Sequence, residues 1–236
     1  MPSTEYVTLP VDDGSSMRAF VARPSGRGPH RAILVFQDAM GVNESLREIA
    51  ADFAAKGFVA LAPELFHRFA PGFETDALDM KTLMPLIRQL TVERMVADIH
   101  AAHRWLTAQG DVDQKRIAAM GFCMGGRATY LANSELPLAA AVSYYGGGIA
   151  PALLDRAPRL SGAHMFIWAG KDRGIPPEQH RAVVDAVREA GKRFVDVEFS
   201  GVDHAFFQKT TDRYDPWAAT QSWAMTLAFL DANVPA

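Results

Sequence analysis

Three short runs of almost purely apolar residues limit what this chain can fold into: residues 32–36 (AILVF), 58–62 (FVALA) and 117–121 (IAAMG). A strand with one face in water alternates apolar and polar side chains, whereas a strand covered on both faces loses that alternation. The runs therefore predict strands of a parallel sheet held between helices. Residues 44–55 supply one helix, stopping at Gly57, and residues 91–107 another, with Val92, Met95, Val96, Ile99 and Trp105 as its apolar positions. The alternation continues with strands at 139–145, 165–169 and 194–199 and helices at 177–190 and 217–230, the last burying Trp223, Leu227 and Leu230 on one face. Two β-prone runs at 5–9 and 17–22, separated by Asp12-Asp13-Gly14-Ser15, open the chain as an antiparallel hairpin. Repeated β-α units without a break in composition predict an α/β fold: a doubly wound, mostly parallel sheet with helices on both faces.

Composition closes off other classes. Of 236 residues, 49% are hydrophobic and 22% charged, the balance of a globular chain rather than a disordered, collagenous or coiled-coil one. One domain over residues 1–236 is expected, although length alone would admit two. Lys and Arg number 24 against 27 Asp and Glu, a formal net charge of -3, so the basic excess that a phosphate backbone demands is missing and no nucleic-acid partner is expected. Cys123 is the sole cysteine, which removes any intrachain disulfide framework and suits a reducing compartment. The chain starts without a basic segment leading into an apolar run and has no stretch of about 18 apolar residues, so a cytoplasmic protein without a membrane partner is the expectation.

The regularity lapses between residues 64 and 90, where Pro71-Gly72 and Pro85 interrupt mixed apolar and acidic residues. The segment is too irregular for one long helix and too apolar for a solvated linker, so loops and short helices lying over the active site are predicted.

Chemistry concentrates at Gly121-Phe122-Cys123-Met124-Gly125-Gly126, which has the G-x-nucleophile-x-G spacing with cysteine where serine is commoner. A nucleophile raised on a tight strand-to-helix turn has strained backbone angles and close neighbours, so glycines stand at 121 and 125 where a Cβ would collide. The helix that follows, from 124 to about 133, points its N-terminal dipole at the sulfur, favouring thiolate and offering the Met124 amide to an oxyanion. Alone, the motif is equally compatible with a buried, inert cysteine. An acid and then a histidine should follow in that order, each in a loop after a strand. Asp172, in Ala169-Gly170-Lys171-Asp172-Arg173-Gly174, and His204, in Gly201-Val202-Asp203-His204-Ala205-Phe206, meet that requirement. Each singly is compatible with a turn acid or a surface histidine. In this order behind the elbow, they point to nucleophilic acyl chemistry at one edge of the sheet.

From about Tyr6 to the last helix, the chain resembles the dienelactone hydrolases, α/β-hydrolases with a Cys-His-Asp triad. The likeness is carried by Gln37-Asp38-Ala39-Met40-Gly41-Val42-Asn43, Pro63-Glu64-Leu65-Phe66, residues 121–126, Tyr144-Tyr145-Gly146, Gly170-Lys171-Asp172 and His204-Ala205-Phe206. It implies the α/β-hydrolase fold and a carboxylic ester hydrolase of the carboxymethylenebutenolidase class. Such an enzyme uses neither cofactor nor metal and cleaves a lactone or small ester through a cysteine thioester. By the same resemblance Cys123 is the nucleophile, His204 the general base and then acid, Asp172 the group that fixes the imidazole tautomer, and the amides of Met124 and Ala39 the oxyanion hole. The family's better-known members carry a glutamate at the place of Asp38 that holds the resting thiol, so Asp38 is assigned as thiol-modulating. A thiolate attacks activated carbonyls well and expels poor leaving groups badly, so lactones, enol esters and thioesters suit it better than amides.

The same members clamp a substrate carboxylate with two arginines. Here the first place holds Gln208 and the second falls near Met80, Met84 and Ile87. Lys81, Arg88 and Lys209 are the substitute cations at hand, with Lys81, Met84, Phe206 and Gln208 as provisional substrate contacts. Without the clamp, a neutral lactone or aryl ester is expected to serve at least as well as a carboxylate-bearing one. His100 and His103 lack a third ligand, so no metal is expected. Gly146-Gly147-Gly148 lacks a phosphate-loop pattern and reads as a loop near the site. Two other classes compete: a non-catalytic ligand-binding or interaction protein on the same fold, and an amidotransferase-like or chaperone-like cysteine protein. In the latter, histidine usually stands nearer than the 81 residues between Cys123 and His204 (204 minus 123). Both a monomer and a dimer are compatible with the sequence.

Overall fold

The double-sided apolar runs form the middle of a sheet. In the computed structural model, which describes residues 2–236, the strands are β1 (Ser3–Pro10), β2 (Ser16–Arg23), β3 (His30–Phe36), β4 (Phe58–Pro63), β5 (Val112–Phe122), β6 (Ala140–Tyr144), β7 (Ala163–Ala169) and β8 (Phe194–Phe199). Their spatial order is β1-β2-β4-β3-β5-β6-β7-β8. The β1-β2 hairpin attaches antiparallel to β4, and every pairing from β4 to β8 is parallel. Every residue of β4 and β6 is buried, whereas the edge strand β1 exposes most of its residues and the edge strand β8 half of its own. The run at 117–121 marks only the covered end of β5, which starts at Val112 and reaches its neighbour β3 across a register shift.

The helices are α1 (Glu44–Ala55), α2 (Met80–Ile87), α3 (Val92–Thr107), α4 (Met124–Glu135), α5 (Pro177–Glu189) and α6 (Pro216–Asn233), with a 3-10 turn at Leu154–Arg159. Side-chain oxygens of Asn43, Thr91 and Asp215 accept backbone N–H groups in the first turns of α1, α3 and α6, which satisfies donors that a helix start leaves free. Adjacent residues of β6 show the two layers: Ser143 Oγ bonds the Gly126 carbonyl of α4, and Tyr144 Oη bonds Thr226 of α6. Phe53 of α1 meets Trp223 of α6 on the latter face.

The segment after β4 contains one short helix, α2, with Pro85 inside it. Leu83 is buried in a cluster with Ala39 and Met40, and Phe73, Leu78 and Ile87 pack around it. The Thr75 N–H donates to the Met40 carbonyl at 3.0 Å, and Asn43 Nδ2 donates to the Thr75 carbonyl at 3.1 Å. Farther back, Arg68 forks onto Asp98 of α3, which also bonds His67.

Chain order reverses between β3 and its neighbour β5, because β4 lies on one side of that pair and β6 on the other. Loops leaving such a reversal point diverge and open a crevice at the carboxyl ends, and here they carry residues 37–43 and Cys123. The two loops are pressed together: a Cβ on Gly125 would overlap the Phe36 and Gln37 carbonyl oxygens. Gly125→Ala should therefore lower stability by about 1 to 3 kcal/mol, read as a lower urea midpoint at constant slope. An unchanged midpoint would mean that the two loops are loosely packed.

Candidate active site

Cys123 caps α4 with φ 56 and ψ -118, and its N–H donates to the Tyr144 carbonyl at 3.0 Å. This left-handed conformation is costly for a side chain, and two backbone contacts hold it. A Cβ on Gly121 would overlap the Gly125 carbonyl, and one on Gly126 would lie 2.8 Å from Gly146 Cα and the Tyr144 oxygen. Besides Cys123, Tyr145 and Ala205 are the non-glycine residues with positive φ among the described residues, at 35 and 68. All three gather here: the Tyr145 ring centroid is 4.9 Å from that of His204, and Ala205 follows His204 in the chain.

The structure brings Cys123, His204 and Asp172 together. Asp172 Oδ2 lies 2.5 Å from His204 Nδ1, and Oδ1 accepts the Gly174 N–H at 2.8 Å. Burial opposes ionisation of Asp172, but hydrogen bonds from His204 and the local amides outweigh it and hold the carboxyl below its ordinary value. For His204, burial disfavours the imidazolium; Cys123 and Asp172 overcome that and push the ring up to about 10. With Nδ1 engaged by Asp172, Nε2 is the nitrogen left for the sulfur. The Met124 and Ala39 N–H groups have no acceptor among the described residues, and the Gly125 contact presses their two loops together.

Asp38 is buried in the same crevice. Oδ1 accepts the Met40 N–H at 2.8 Å, and Oδ2 accepts Gln208 Nε2 at 2.5 Å. Burial pushes the carboxyl up to about 6, with the Met40 and Gln208 hydrogen bonds pulling the other way. Gln208 is 2% exposed; its Nε2 is engaged by Asp38, and its buried Oε1 has no partner among the described residues. Phe206 is fully buried against Tyr144, Tyr145 and Phe199. Lys81 and Arg88 sit exposed at the two ends of α2, and Met84 is half-buried between them. Lys209 pairs with Glu48 at 3.5 Å and lines a cavity of about 210 Å³ shared with Phe207, Tyr214 and Trp223, to which Cys123, Asp172 and His204 do not contribute.

Two positioning residues escaped the sequence reading. Buried Gln37 accepts the Leu65 N–H at 2.9 Å and donates to the Asp38 carbonyl at 3.2 Å, bracing the loop after β3. Tyr145 packs on the imidazole. Both lie within the motifs quoted above, but neither left-handed backbone nor a bond to a residue 28 positions away (65 minus 37) is written in local pattern.

A glycine-flanked strand-to-helix turn carrying Cys123 at the reversal point of a mostly parallel eight-stranded sheet defines a protein of the α/β-hydrolase fold. The model of the dienelactone hydrolase family matches residues 17–234, and the chain belongs to that family. An Escherichia coli (strain K12) protein named "Putative carboxymethylenebutenolidase" is 30% identical over 94% of this chain and 84% of its own length. A protein of the same name from Saccharolobus solfataricus is 29% identical over 92% of this chain and 95% of its own. The crystal structure of a "Putative Dienelactone Hydrolase" from Klebsiella pneumoniae superposes with a TM-score of 0.88 at 29% identity, covering 98% of each chain. The protein is thus a hydrolase of the ester and lactone class with a small-molecule substrate. No helix among the described residues is long and apolar enough to cross a membrane.

Because the folded value of Asp38 lies above its ordinary 3.8, the folded chain binds more protons than the unfolded one between about pH 4 and 6. Stability from this group is full below about pH 4, falls as pH rises, and is gone above about 6, a span worth up to about 3 kcal/mol. Asp38→Asn should remove that decline, measured by urea denaturation across the window. Parallel curves for the two proteins would show that the carboxyl is not held in its neutral form.

Proposed function

We propose that this hydrolase cleaves a lactone or small ester through a Cys123 thioester. The observation that carries the reading is the alignment of Cys123, His204 and Asp172 around one imidazole. With His204 protonated, the sulfur attacks as thiolate. Carbonyl carbon and sulfur bond, and the carbonyl oxygen becomes an oxyanion that accepts from the Met124 and Ala39 N–H groups. Collapse breaks the ester C–O bond, and the departing alkoxide or enolate takes the proton from His204 Nε2. Neutral His204 then removes a proton from water, whose oxygen attacks the thioester. The second collapse releases the acid and returns the thiolate beside imidazolium. Asp172 holds Nδ1–H throughout and keeps the proton-accepting nitrogen toward the sulfur.

Asp38 modulates the thiol through space in this scheme. Its hydrogen bonds go to Met40 and Gln208, and because burial raises it to about 6, it opposes the thiolate less as pH falls below neutrality and the carboxyl gains its proton. A protein with one cysteine, kept reduced for catalysis, fits a cytoplasmic setting. The non-catalytic alternative has no explanation for three strained residues collected around a hydrogen-bonded His-Asp pair.

Cys123→Ala tests the covalent route. Its kcat/KM on a small aryl ester should fall by several orders of magnitude, leaving the contribution of the oxyanion hole and binding, about 10³ to 10⁴ over water in comparable triads. Native-like turnover by a folded Cys123→Ala protein would rule out the thioester.

A further inference from the structure

Helix α1 breaks a charge preference at its end. The carbonyl end of a helix carries partial negative charge and favours a cation, yet the last turn of α1 has no basic residue and holds Asp52 instead. Asp52 is exposed and has neither an ion pair nor a side-chain hydrogen bond among the described residues. A local rule broken without a compensating partner points to a functional position.

Asp52 follows Glu48 by four residues and Ile49 by three, so the three share one side of α1. That side walls the cavity of about 210 Å³, with Ala219 and Trp223 of α6 and with Phe207 and Tyr214 from the chain between His204 and α6. The volume is below the roughly 300 Å³ at which drug-sized pockets begin, so it suits a small occupant. Ile49 and Ala219 are buried, and Trp223 is braced edge-on by Phe53 with ring centroids 5.0 Å apart. An occupant in so small a space stands within the about 6 Å over which an aromatic ring attracts a cation.

Charge decides the class of ligand. Lys209 Nζ lies 3.5 Å from Glu48 Oε2, so these two rim charges answer each other and the unanswered one on the wall is that of Asp52. A carboxylate ligand would meet Asp52 and the negative end of α1, and a neutral one would leave both unanswered. An ammonium group on an apolar body satisfies the acid, the helix end and the rings together.

We propose that the cavity between α1 and α6 is a second binding site for a small amine with an aromatic or alkyl body, its ammonium group at Asp52 and its body against Trp223 and Phe207. The site is separate from the crevice around Cys123. Phe207 is the partition: its ring centroid is 5.9 Å from that of Trp223 on the cavity side, and 5.1 and 5.3 Å from those of Phe122, the neighbour of Cys123, and Tyr144 on the other. Binding here stands apart from the thioester reading and needs no turnover.

Calorimetric titration of the native protein at neutral pH tests it, with 2-phenylethylamine, 2-phenylethanol and 3-phenylpropionate as probes of similar shape and different charge. The amine should bind about 10-fold more tightly than the alcohol, with the carboxylate weakest, and its advantage should shrink as salt is raised. Asp52→Asn, an exposed substitution that leaves the apolar wall intact, should weaken the amine about 3- to 5-fold and leave the alcohol unchanged; Asp52→Lys should cancel the amine's advantage. Protein whose Cys123 has been alkylated with iodoacetamide should bind the amine as the native protein does. Absence of amine binding overturns the site, as does equal affinity for amine and alcohol or an amine advantage that survives Asp52→Lys. Loss of amine binding on alkylation of Cys123 overturns it as well, because the ligand would then belong to the crevice.

Discussion

The contact on which the site depends is backbone against backbone: α4 enters so close to the end of β3 that residue 125 has no room for a side chain beside the Phe36 and Gln37 carbonyls. From it follow the left-handed Cys123 and the need for Gln37 to brace a loop that cannot move away. Protein interiors at this density do not deform gradually. The strain at Cys123, Tyr145 and Ala205 is sustained because the sheet edge surrounding them is over-determined.

Electrostatically, the crevice separates two carboxylates into two roles. Asp172 gains a charged partner and local amides and stays ionised; Asp38 gains neutral donors in a dry environment and is pushed toward protonation. His204 stands between these environments and owes its raised value first to Cys123 and then to Asp172. Acid and base assignments follow when surroundings drive similar groups apart in this way. The result is a histidine whose charged form is favoured beside the sulfur, as the proposed thioester route requires.

Behind α4 a neutral chain of hydrogen bonds keeps the elbow in place. Asn133 Oδ1 accepts the Gly162 N–H, so its Nδ2 donates to His164 Nδ1. His164, which burial lowers to about 3, must then donate from Nε2 to Ser143, and Ser143 donates to the Gly126 carbonyl. Each donor has one direction available, so the chain has a single arrangement, and satisfied buried networks of this kind rigidify what they touch.

Much of this was legible in residue order. Apolar runs without alternation reveal covered strands because burial on both faces leaves no position for a polar side chain, and the glycines around Cys123 reveal the elbow because no other residue fits. The order of Cys123, Asp172 and His204 follows from the fold that the runs imply. What local pattern does not carry is partnership across the chain. Gln208, read as a substrate contact, is the partner of Asp38, 170 positions away; Phe206, read likewise, is fully buried beside the left-handed turn at Ala205. Whether a charge is neutralised, and whether a carboxyl is dry or wetted, depends on which distant groups the packed sheet brings within a few ångströms, and only the tertiary structure decides that.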